Sequence, residues 1–185
     1  TMNQQPVVVV IGASTGGFAP LRQIIAEMPK DLPAAVLIVM HIGNLDSILP
    51  DLIAPVSALP ARYAIDGEPI KHGTILVAPD DHHMLVDAGK VRLSRGAKEN
   101  FSRPAIDPLF RSAAVVYRQN AVGVILSGKL DDGTVGLQAI KAYGGIAMAQ
   151  DPAEAEVPSM PLRALDHVDI GYCLPLDGRG KGIVQ

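Results

Sequence analysis

The fold is decided by the stretch Val7-Val8-Val9-Val10-Ile11-Gly12-Ala13-Ser14-Thr15-Gly16-Gly17. Its first half, Val7–Ile11, is an uninterrupted run of β-branched residues, which is typical of a strand buried on both faces of a sheet. The glycines of the second half predict a tight turn. Helical spacing of apolar residues follows at Leu21, Ile24, Ile25 and Met28. A strand, a turn and a helix in this order indicate the start of a β-α-β unit.

The same alternation continues along the chain. Ala35–Met40 predicts a second buried strand that ends at His41, and Ala121–Leu126 and Ile146–Gln150 predict two more. Helical segments separate these strands, so the crossovers are expected to be right-handed and the sheet parallel, with helices on both faces. Ser159 with Pro161 marks a further helix start.

Residues 61–94 have a different character, with four short strand patterns and an expected antiparallel hairpin insertion. Ala88-Gly89 is the predicted hairpin turn. The predicted strands are Arg62–Ile65, Thr74–Ala78, Met84–Asp87 and Val91–Ser94. Beyond a polar loop, Asp107-Pro108 predicts the N-cap and first residue of a helix that runs through Arg118.

Composition excludes several classes of protein. The 185 residues carry a formal net charge of −3, so nothing in the charge balance favours nucleic-acid binding. Hydrophobic residues make up 48% and charged residues 19%, which excludes a largely disordered chain. No apolar run approaches the ~20 residues of a spanning helix, so no membrane insertion is expected. Cys173 has no cysteine partner in the chain, and we expect a cytoplasmic protein.

Three polar sites follow predicted parallel strands, and their side chains are expected to meet at one edge of the sheet. Ser14 follows the first strand, His41 ends the second, and Asp131-Asp132 follow the strand that ends at Leu126. Ser, His and Asp together form a nucleophile, a general base and a group that orients the base, in an order that differs between folds. We therefore take Ser14, His41 and Asp132 as a candidate catalytic triad.

The residues alone leave alternatives open. Gly12-Ala13-Ser14-Thr15-Gly16 is a G-x-S-x-G pattern in the strand-to-helix setting of a nucleophile elbow. A glycine-rich turn of this kind also cradles phosphates or serves only as a structural turn. Asp131-Asp132-Gly133 alone indicates a turn and a helix N-cap. Adjacent His82-His83 point to opposite faces of a strand, so no metal site is expected.

Several separated motifs extend the pattern over about residues 7–176 and resemble one family, the catalytic domain of the CheB-type protein-glutamate methylesterase. They begin with Ile11–Gly17 and with His41 at a strand end. The others are Val77-Ala78-Pro79, His83-Met84, Arg103–Asp107 with Leu109-Phe110, Ile125–Gly128, Asp132-Gly133, Ala149–Asp151 and Met160-Pro161.

The resemblance implies a fold, a reaction and a set of site residues. The fold is a three-layer α/β/α sandwich with a mostly parallel, doubly wound sheet and an antiparallel hairpin insertion. The reaction is hydrolysis of glutamate γ-methyl esters on chemoreceptor helices, together with glutamine deamidation, without cofactor or metal. Ser14 is the implied nucleophile, His41 the general base and Asp132 the residue that orients it. The substrate and oxyanion region comprises Thr15, Gly16, His83 and Lys129.

The chain departs from the family pattern at positions that face substrate. Lys129 and Leu130 stand where the family loop has Met and Gly, and Ile42-Gly43 replace Met-Pro after His41. Near the end, Ser159 replaces a Gly, and Leu162 separates Pro161 from an Arg. A hydrolase of another ester or amide outside chemotaxis, and a catalytically impaired binding module, are therefore the alternative functions.

The expected domain organisation is simple. We expect residues 1–6 to be a disordered or cloning-derived N-terminus, 7–176 a single methylesterase-like catalytic domain, and 177–185 a flexible tail. The family usually carries a receiver domain ahead of the catalytic one, and no such pattern precedes Val7. The expected partners are methylated chemoreceptor helices and a separate regulatory protein.

Overall fold

The computed structural model describes residues 6–41, 48–129, 131–170 and 172–174, the last of these by backbone path only. The predicted N-terminal segment before residue 6, Ile42-Gly43, Leu130 and the predicted tail 177–185 lie outside the described residues. Strands and helices follow one another along the chain, with four consecutive strands in the middle. In order they are β1 (Val7–Ala13), α1 (Phe18–Ala26), β2 (Ala34–Met40), α2 (Leu49–Ile53), β3 (Ala61–Tyr63), β4 (Ile75–Val77), β5 (His83–Asp87), β6 (Lys90–Ser94), α3 (Ile106–Tyr117), β7 (Ala121–Ile125), α4 (Thr134–Ala142), β8 (Ile146–Gln150), α5 (Ser159–His167) and β9 (Tyr172–Leu174).

Seven of these strands form one sheet in the order β3-β4-β2-β1-β7-β8-β9, and all neighbouring strands are parallel. The chain leaves β1 toward β2 on one side and later returns to β7 on the other. The carboxyl end of β1 is therefore the point where the strand order reverses, which is where doubly wound sheets form their ligand crevice. None of the helices in the described ranges is both long and apolar enough to span a membrane.

Two buried apolar layers, one on each face of the sheet, hold the helices. Val9 and Ile11 of β1 pack with residues of α1 and α2, whereas Val8 and Val10 pack with residues of α3, α4 and α5. Side chains that alternate along a strand point to opposite faces, so a continuous valine run serves both layers. The predicted three-layer sandwich with a doubly wound sheet is confirmed.

The hairpin insertion is confirmed for β5 and β6, which form a separate antiparallel pair. Ala88 and Gly89 both have positive φ angles, 51° and 78°, which fits the predicted two-residue turn. The hairpin packs on α3, where the Ser112 hydroxyl accepts a bond of 2.9 Å from the Val86 N–H. The two earlier short strands, β3 and β4, join the parallel sheet instead.

The predicted ends of α3 are wrong. The N-cap is Ala105, in extended backbone, and Asp107 lies inside the first turn of the helix. The helix ends at Tyr117, because Arg118 has a φ of 52° and begins a short 3₁₀ turn. Asp-Pro is a strong local capping signal, but the Asp107 carboxylate bonds elsewhere.

A test of the fold concerns the contact between Gly12 of β1 and Ile106 at the start of α3. A Cβ on Gly12 would lie 2.6 Å from Cγ2 of the fully buried Ile106. We expect Gly12→Ala to lower the free energy of unfolding by ~1–3 kcal/mol, because overpacking forces the helix start away from the strand. Urea unfolding followed by far-ultraviolet circular dichroism measures this, since the chain has no tryptophan.

The matched control is the same substitution in an Ile106→Ala background, which removes the three side-chain atoms nearest to the new methyl group. The penalty of Gly12→Ala is expected to shrink there. An equal penalty in both backgrounds would contradict the contact.

Candidate active site

Ser14 and His41 lie side by side at the carboxyl edge of the sheet. The residues before them, Ala13 and Met40, are partners in the register of β1 and β2. The His41 N–H donates a bond of 3.0 Å to the Ala13 carbonyl, and the Ser14 N–H donates one of 2.9 Å to the carbonyl of Ser127, beyond β7. Neighbouring strands are ~4.8 Å apart, so this register puts the two candidate residues next to each other at the strand-order reversal.

The turn after Ser14 depends on glycine. Gly16 has a φ of 77°, and a Cβ there would lie 2.6 Å from Cβ of Glu156. The turn closes with a bond of 2.9 Å from the Gly17 N–H to the Ser14 carbonyl, directly before α1. Within the described residues the Ser14 hydroxyl makes no hydrogen bond, and neither do the N–H groups of Thr15 and Gly16. Free donors at a helix start are suited to a developing oxyanion.

The second wall of the site is the segment after β7. A Cβ on Gly128 would lie 2.7 Å from Cβ of Ser14 and 2.3 Å from Sδ of the buried Met160. The Gly128 N–H donates a bond of 2.9 Å to the Val157 carbonyl, so it is already paired. Ser127 joins both walls, because its hydroxyl donates to the Thr15 carbonyl at 2.8 Å.

His41 faces Asp132 through one ring nitrogen. Nε2 of His41 lies 3.1 Å from Oδ2 of Asp132. A carboxylate only accepts, so in the neutral ring Nε2 carries the proton and Nδ1 keeps its lone pair. The Asp132 side chain is 4% exposed and that of His41 is 22% exposed, so the carboxylate is buried and the imidazole is partly open to solvent.

Asp132 accepts hydrogen bonds from the start of α3 and from Asn100. Its Oδ2 accepts from the Ile106 N–H at 2.7 Å, and its Oδ1 accepts from the Asp107 N–H at 3.1 Å. Nδ2 of Asn100 donates to the same Oδ1 at 3.2 Å. A carboxylate at the first turn of a helix is favoured by both the free N–H groups and the helix dipole. Asp132 therefore supplies the cap that Asp107 was predicted to supply.

Asp107 in turn caps α4. Its Oδ1 accepts from the N–H groups of Gly133 and Gly136 at 3.0 and 2.7 Å, and its Oδ2 accepts from Asn100 Nδ2 at 2.9 Å. Burial, first, and the charge of Asp132, second, raise the pKa of the Asp107 carboxyl to about 6, against the lowering effect of these hydrogen bonds. We call Asp107, Asp132 and the Asn100 amide between them the carboxylate bridge.

The carboxylate bridge was not predicted from the sequence. The only available signal was that Asp107 belongs to one of the family motifs, and Asn100 gave none. The bond of the Ser127 hydroxyl was not predicted either, although that residue lies in another motif. Both contacts join residues far apart in the chain, at separations of 25 for Asp107 with Asp132 and 112 for Ser127 with Thr15.

The structure gives His83 a contact with the loop after β6. The side chain is 3% exposed, Nε2 lies 2.8 Å from the Ala97 carbonyl, and Nδ1 accepts from the Ala105 N–H at 3.2 Å. This pattern fits the neutral ring with its proton on Nε2. Both ring nitrogens are thus occupied by backbone groups. The substrate contact implied for His83 stays a prediction.

The remaining candidate residues lie around the opening of the site. Thr15 and Lys129 are exposed, the latter directly after Gly128. Asp131 is exposed and pairs with Arg163 of α5 at 3.3 Å, so it takes no part in the contact with His41. Within the described ranges no three or more His, Cys, Asp or Glu side chains lie together in a way that could hold a metal ion.

Known proteins resemble this chain along most of its length. The family model for CheB methylesterase matches residues 9–183. A relative from Leptospira interrogans is 37% identical over 171 residues, which is 91% of this chain and 89% of the relative. The protein-glutamate methylesterase/protein-glutamine glutaminase of Symbiobacterium thermophilum is 41% identical over 155 residues, which is 83% of this chain and 43% of the relative.

The crystal structure of the Thermotoga maritima CheB methylesterase catalytic domain matches with a TM-score of 0.92 and 34% identity, over 98% of each chain. The α/β/α sandwich is therefore shared with an esterase catalytic domain. The chain belongs to the CheB methylesterase family. It spans nearly all of the Leptospira relative and less than half of the Symbiobacterium one.

A test of the site geometry is Gly128→Ala. The new methyl group would displace the Ser14 side chain, and a shift of about 1 Å at a reacting atom costs on the order of 100-fold in rate. We expect the rate of Ser14 labelling by a serine-directed phosphonate to fall by about that factor. Met160→Leu, which keeps the side-chain volume, is the control and should label nearly as fast as the wild type. Unchanged labelling of Gly128→Ala would contradict the close contact.

The carboxylate bridge also predicts how stability depends on pH. The raised pKa of Asp107 means that the folded protein holds this proton more tightly than the unfolded chain, so the stabilisation is present below the ordinary value of 3.8 and is lost as pH rises through about 6. Asp107→Asn removes this contribution. The unfolding free energy of the wild type, relative to that of the variant, should fall as pH rises across that window and level off above it.

Urea unfolding at several pH values measures the difference, with Glu99→Gln as the control. Glu99 is a neighbouring carboxylate that pairs with Arg111 at 2.7 Å and does not contact the bridge. A pH dependence that is equal in wild type and Asp107→Asn would show that Asp107 has no raised pKa.

Proposed function

We propose that this chain is a serine hydrolase that cleaves γ-methyl esters of glutamate side chains, with Ser14 as nucleophile, His41 as general base and Asp132 as the group that orients His41. The observation that carries the proposal is the contact of His41 Nε2 with Asp132, with Ser14 in the neighbouring register position. The names of the relatives, which are methylesterases and glutaminases, support the same reaction and add glutamine deamidation.

Each step of the proposed reaction assigns a task to one of these groups. Ser14 Oγ forms a bond to the ester carbonyl carbon while its proton passes to Nδ1 of His41. The positive charge on the ring is stabilised by Asp132, which holds the proton on Nε2. The oxygen that becomes negative meets the N–H groups of Thr15 and Gly16, and one such donor is typically worth ~3–4 kcal/mol.

The intermediate then collapses. His41 returns its proton to the methoxy oxygen, methanol leaves, and a glutamyl ester on Ser14 remains. Water repeats the sequence with His41 as base and releases the glutamate carboxylate and the free serine. With a glutamine side chain the leaving group is ammonia, and the product is the same carboxylate.

The proposed substrates are methylated glutamates on chemoreceptor helices. The open side of the crevice, where Thr15 and Lys129 are exposed, is where a receptor segment would approach. Lys129 places a positive charge beside the scissile group and is the first residue to examine if another ester proves to be the substrate. Control by a separate regulatory protein stays a prediction, and no contact among the described residues bears on it.

The decisive experiment measures methanol release from methylated receptor by wild type and Ser14→Ala. Ser14→Ala should abolish turnover and phosphonate labelling, and Asp132→Asn should lower turnover by about 10⁴-fold, because the ring then loses its orienting acceptor. Ser57→Ala is the matched control, since the Ser57 hydroxyl bonds only within its own turn, at 2.7 Å to the Leu59 carbonyl.

The outcomes separate the candidate functions. Turnover that is equal in wild type and Ser14→Ala would refute the proposed nucleophile. Receptor binding without turnover in either protein would favour the impaired binding module. Labelling of Ser14 without release of methanol from receptor would favour a different ester or amide substrate.

A further inference from the structure

Asn100 and Asp107 both donate hydrogen bonds to Asp132 and have no part in the proposed reaction so far. Asp107 is 3% exposed, whereas Asn100 lies at the surface. Nδ2 of Asn100 lies 2.9 Å from Oδ2 of Asp107 and 3.2 Å from Oδ1 of Asp132. An amide nitrogen carries two hydrogens, so it donates to both carboxylates at once. No other side chain in the described ranges bonds to both.

The carboxylate bridge places two negative charges close together, and the Asn100 amide offsets their repulsion. Two carboxylates close together in a shielded place tend to share a proton, because the second negative charge is costly there. A proton on Asp132 would replace the acceptor that His41 needs for its Nε2–H. Donors to the ionised form oppose this, and Asn100 is the one side-chain donor that serves both groups. Burial, first, and the charge of Asp132, second, raise the pKa of the Asp107 carboxyl, so a second negative charge at the bridge is costly.

The backbone around Asn100 is built to hold its amide in place. Glu99 and Ser102 exchange two backbone hydrogen bonds, of 3.0 and 2.9 Å, around a two-residue turn. The turn residues Asn100 and Phe101 have φ angles of 50° and 64°. Asparagine is one of the few residues that adopts this left-handed region readily, so its use here costs little.

The loop that carries this turn is anchored on both sides. Arg103 donates to Oδ1 of Asp81 from Nε at 2.9 Å and from one terminal nitrogen at 2.6 Å, and from the other to the Gly96 carbonyl at 3.1 Å. This guanidinium lowers the pKa of the Asp81 carboxyl. Together with the bonds of His83 to Ala97 and Ala105, these contacts hold the loop that carries Asn100.

Other charged groups surround the bridge without bonding to it. Asp107 and Asn100 line a cleft of about 280 Å³ with Asp131, Arg163 and His167. Arg163 is paired with Asp131, and Arg111 of α3 is paired with Glu99. The described groups that reach the bridge oxygens are His41, the Asn100 amide and backbone N–H groups.

We propose that Asn100 and Asp107 are positioning residues of the hydrolytic site. The Asn100 amide keeps Asp132 ionised beside a second carboxylate, so that Asp132 remains an acceptor for His41. Asp107 holds the loop of Asp132 against α3 through its bonds to the start of α4. The proposal rests on the proposed function, because it assigns Asp132 the task of orienting His41.

The experiment follows methanol release and Ser14 labelling from about pH 5 to about pH 9 in wild type, Asn100→Gly and Asp107→Asn. Glycine adopts the left-handed turn readily and removes the amide with the rest of the side chain. The acidic limb of the rate profile should move up by ~1 pH unit in Asn100→Gly, the equivalent of one hydrogen bond to a charged group. In Asp107→Asn it should move down, since one of the two charges is gone, and the maximal rate should fall because two amide groups then face each other.

Glu99→Gln is the matched control, since it removes one negative charge from the same loop and leaves the bridge intact. Its acidic limb should stay at the wild-type position. Circular dichroism of each variant checks that the fold is kept. Equal limbs in all four proteins, with only the maximal rates changed, would overturn the proposal and leave Asn100 and Asp107 a structural role alone.

A second measurement keeps the proposal separate from the proposed function. The carboxyl carbon NMR shift of Asp132, followed against pH, reports the ionisation of that carboxyl directly and without any turnover. An inflection that moves up in Asn100→Gly supports the bridge even if wild type releases no methanol. An inflection that stays in place overturns the proposal even if wild type is active.

Discussion

The structure depends on a reciprocal exchange of helix caps between two buried aspartates. Asp132, just before α4, accepts the first N–H groups of α3, and Asp107, in the first turn of α3, accepts N–H groups at the start of α4. Two carboxylates removed from water would be costly without such donors. Each satisfies the other's helix, and the exchange fixes how the two helices meet. One lone-pair direction of Asp132 is left over, and it points at His41.

Close approach at glycines brings the remaining parts together. Ile106 fits against Gly12 of the central strand, which sets the start of α3 at the edge of the sheet. Met160 and Ser14 meet at Gly128. A side chain at either glycine would separate elements whose contacts define the crevice. The candidate site is thus formed where elements of different layers approach closely at glycines, and not by a pocket within one layer.

The features that could be predicted from the sequence are those that depend on a few neighbouring residues. The valine run of β1, the strand ends at Ser14 and His41, and the Ala88-Gly89 turn are all visible in a few residues. The start of α3 was predicted wrongly, because Asp107-Pro108 is a capping signal that carries no information about a competing carboxylate 25 residues away. Asn100 looked like an ordinary polar loop residue, since its importance arises only when the folded loop brings its amide between two acids.

The shared caps also couple local unfolding of the two helix starts to the position of Asp132 in the site. Asp132 accepts from the start of α3 and Asp107 accepts from the start of α4. If the two helix starts separate, N–H groups of both lose their acceptors, so α3 and α4 should unfold locally as a single cooperative unit. Ser14 and His41 stand on strand ends of the central sheet and would remain where they are. A partial opening would then separate Asp132 from His41 and would reverse without refolding of the sheet. Amide hydrogens at the two helix starts would exchange with solvent at a common rate, whereas those of β1 would stay protected.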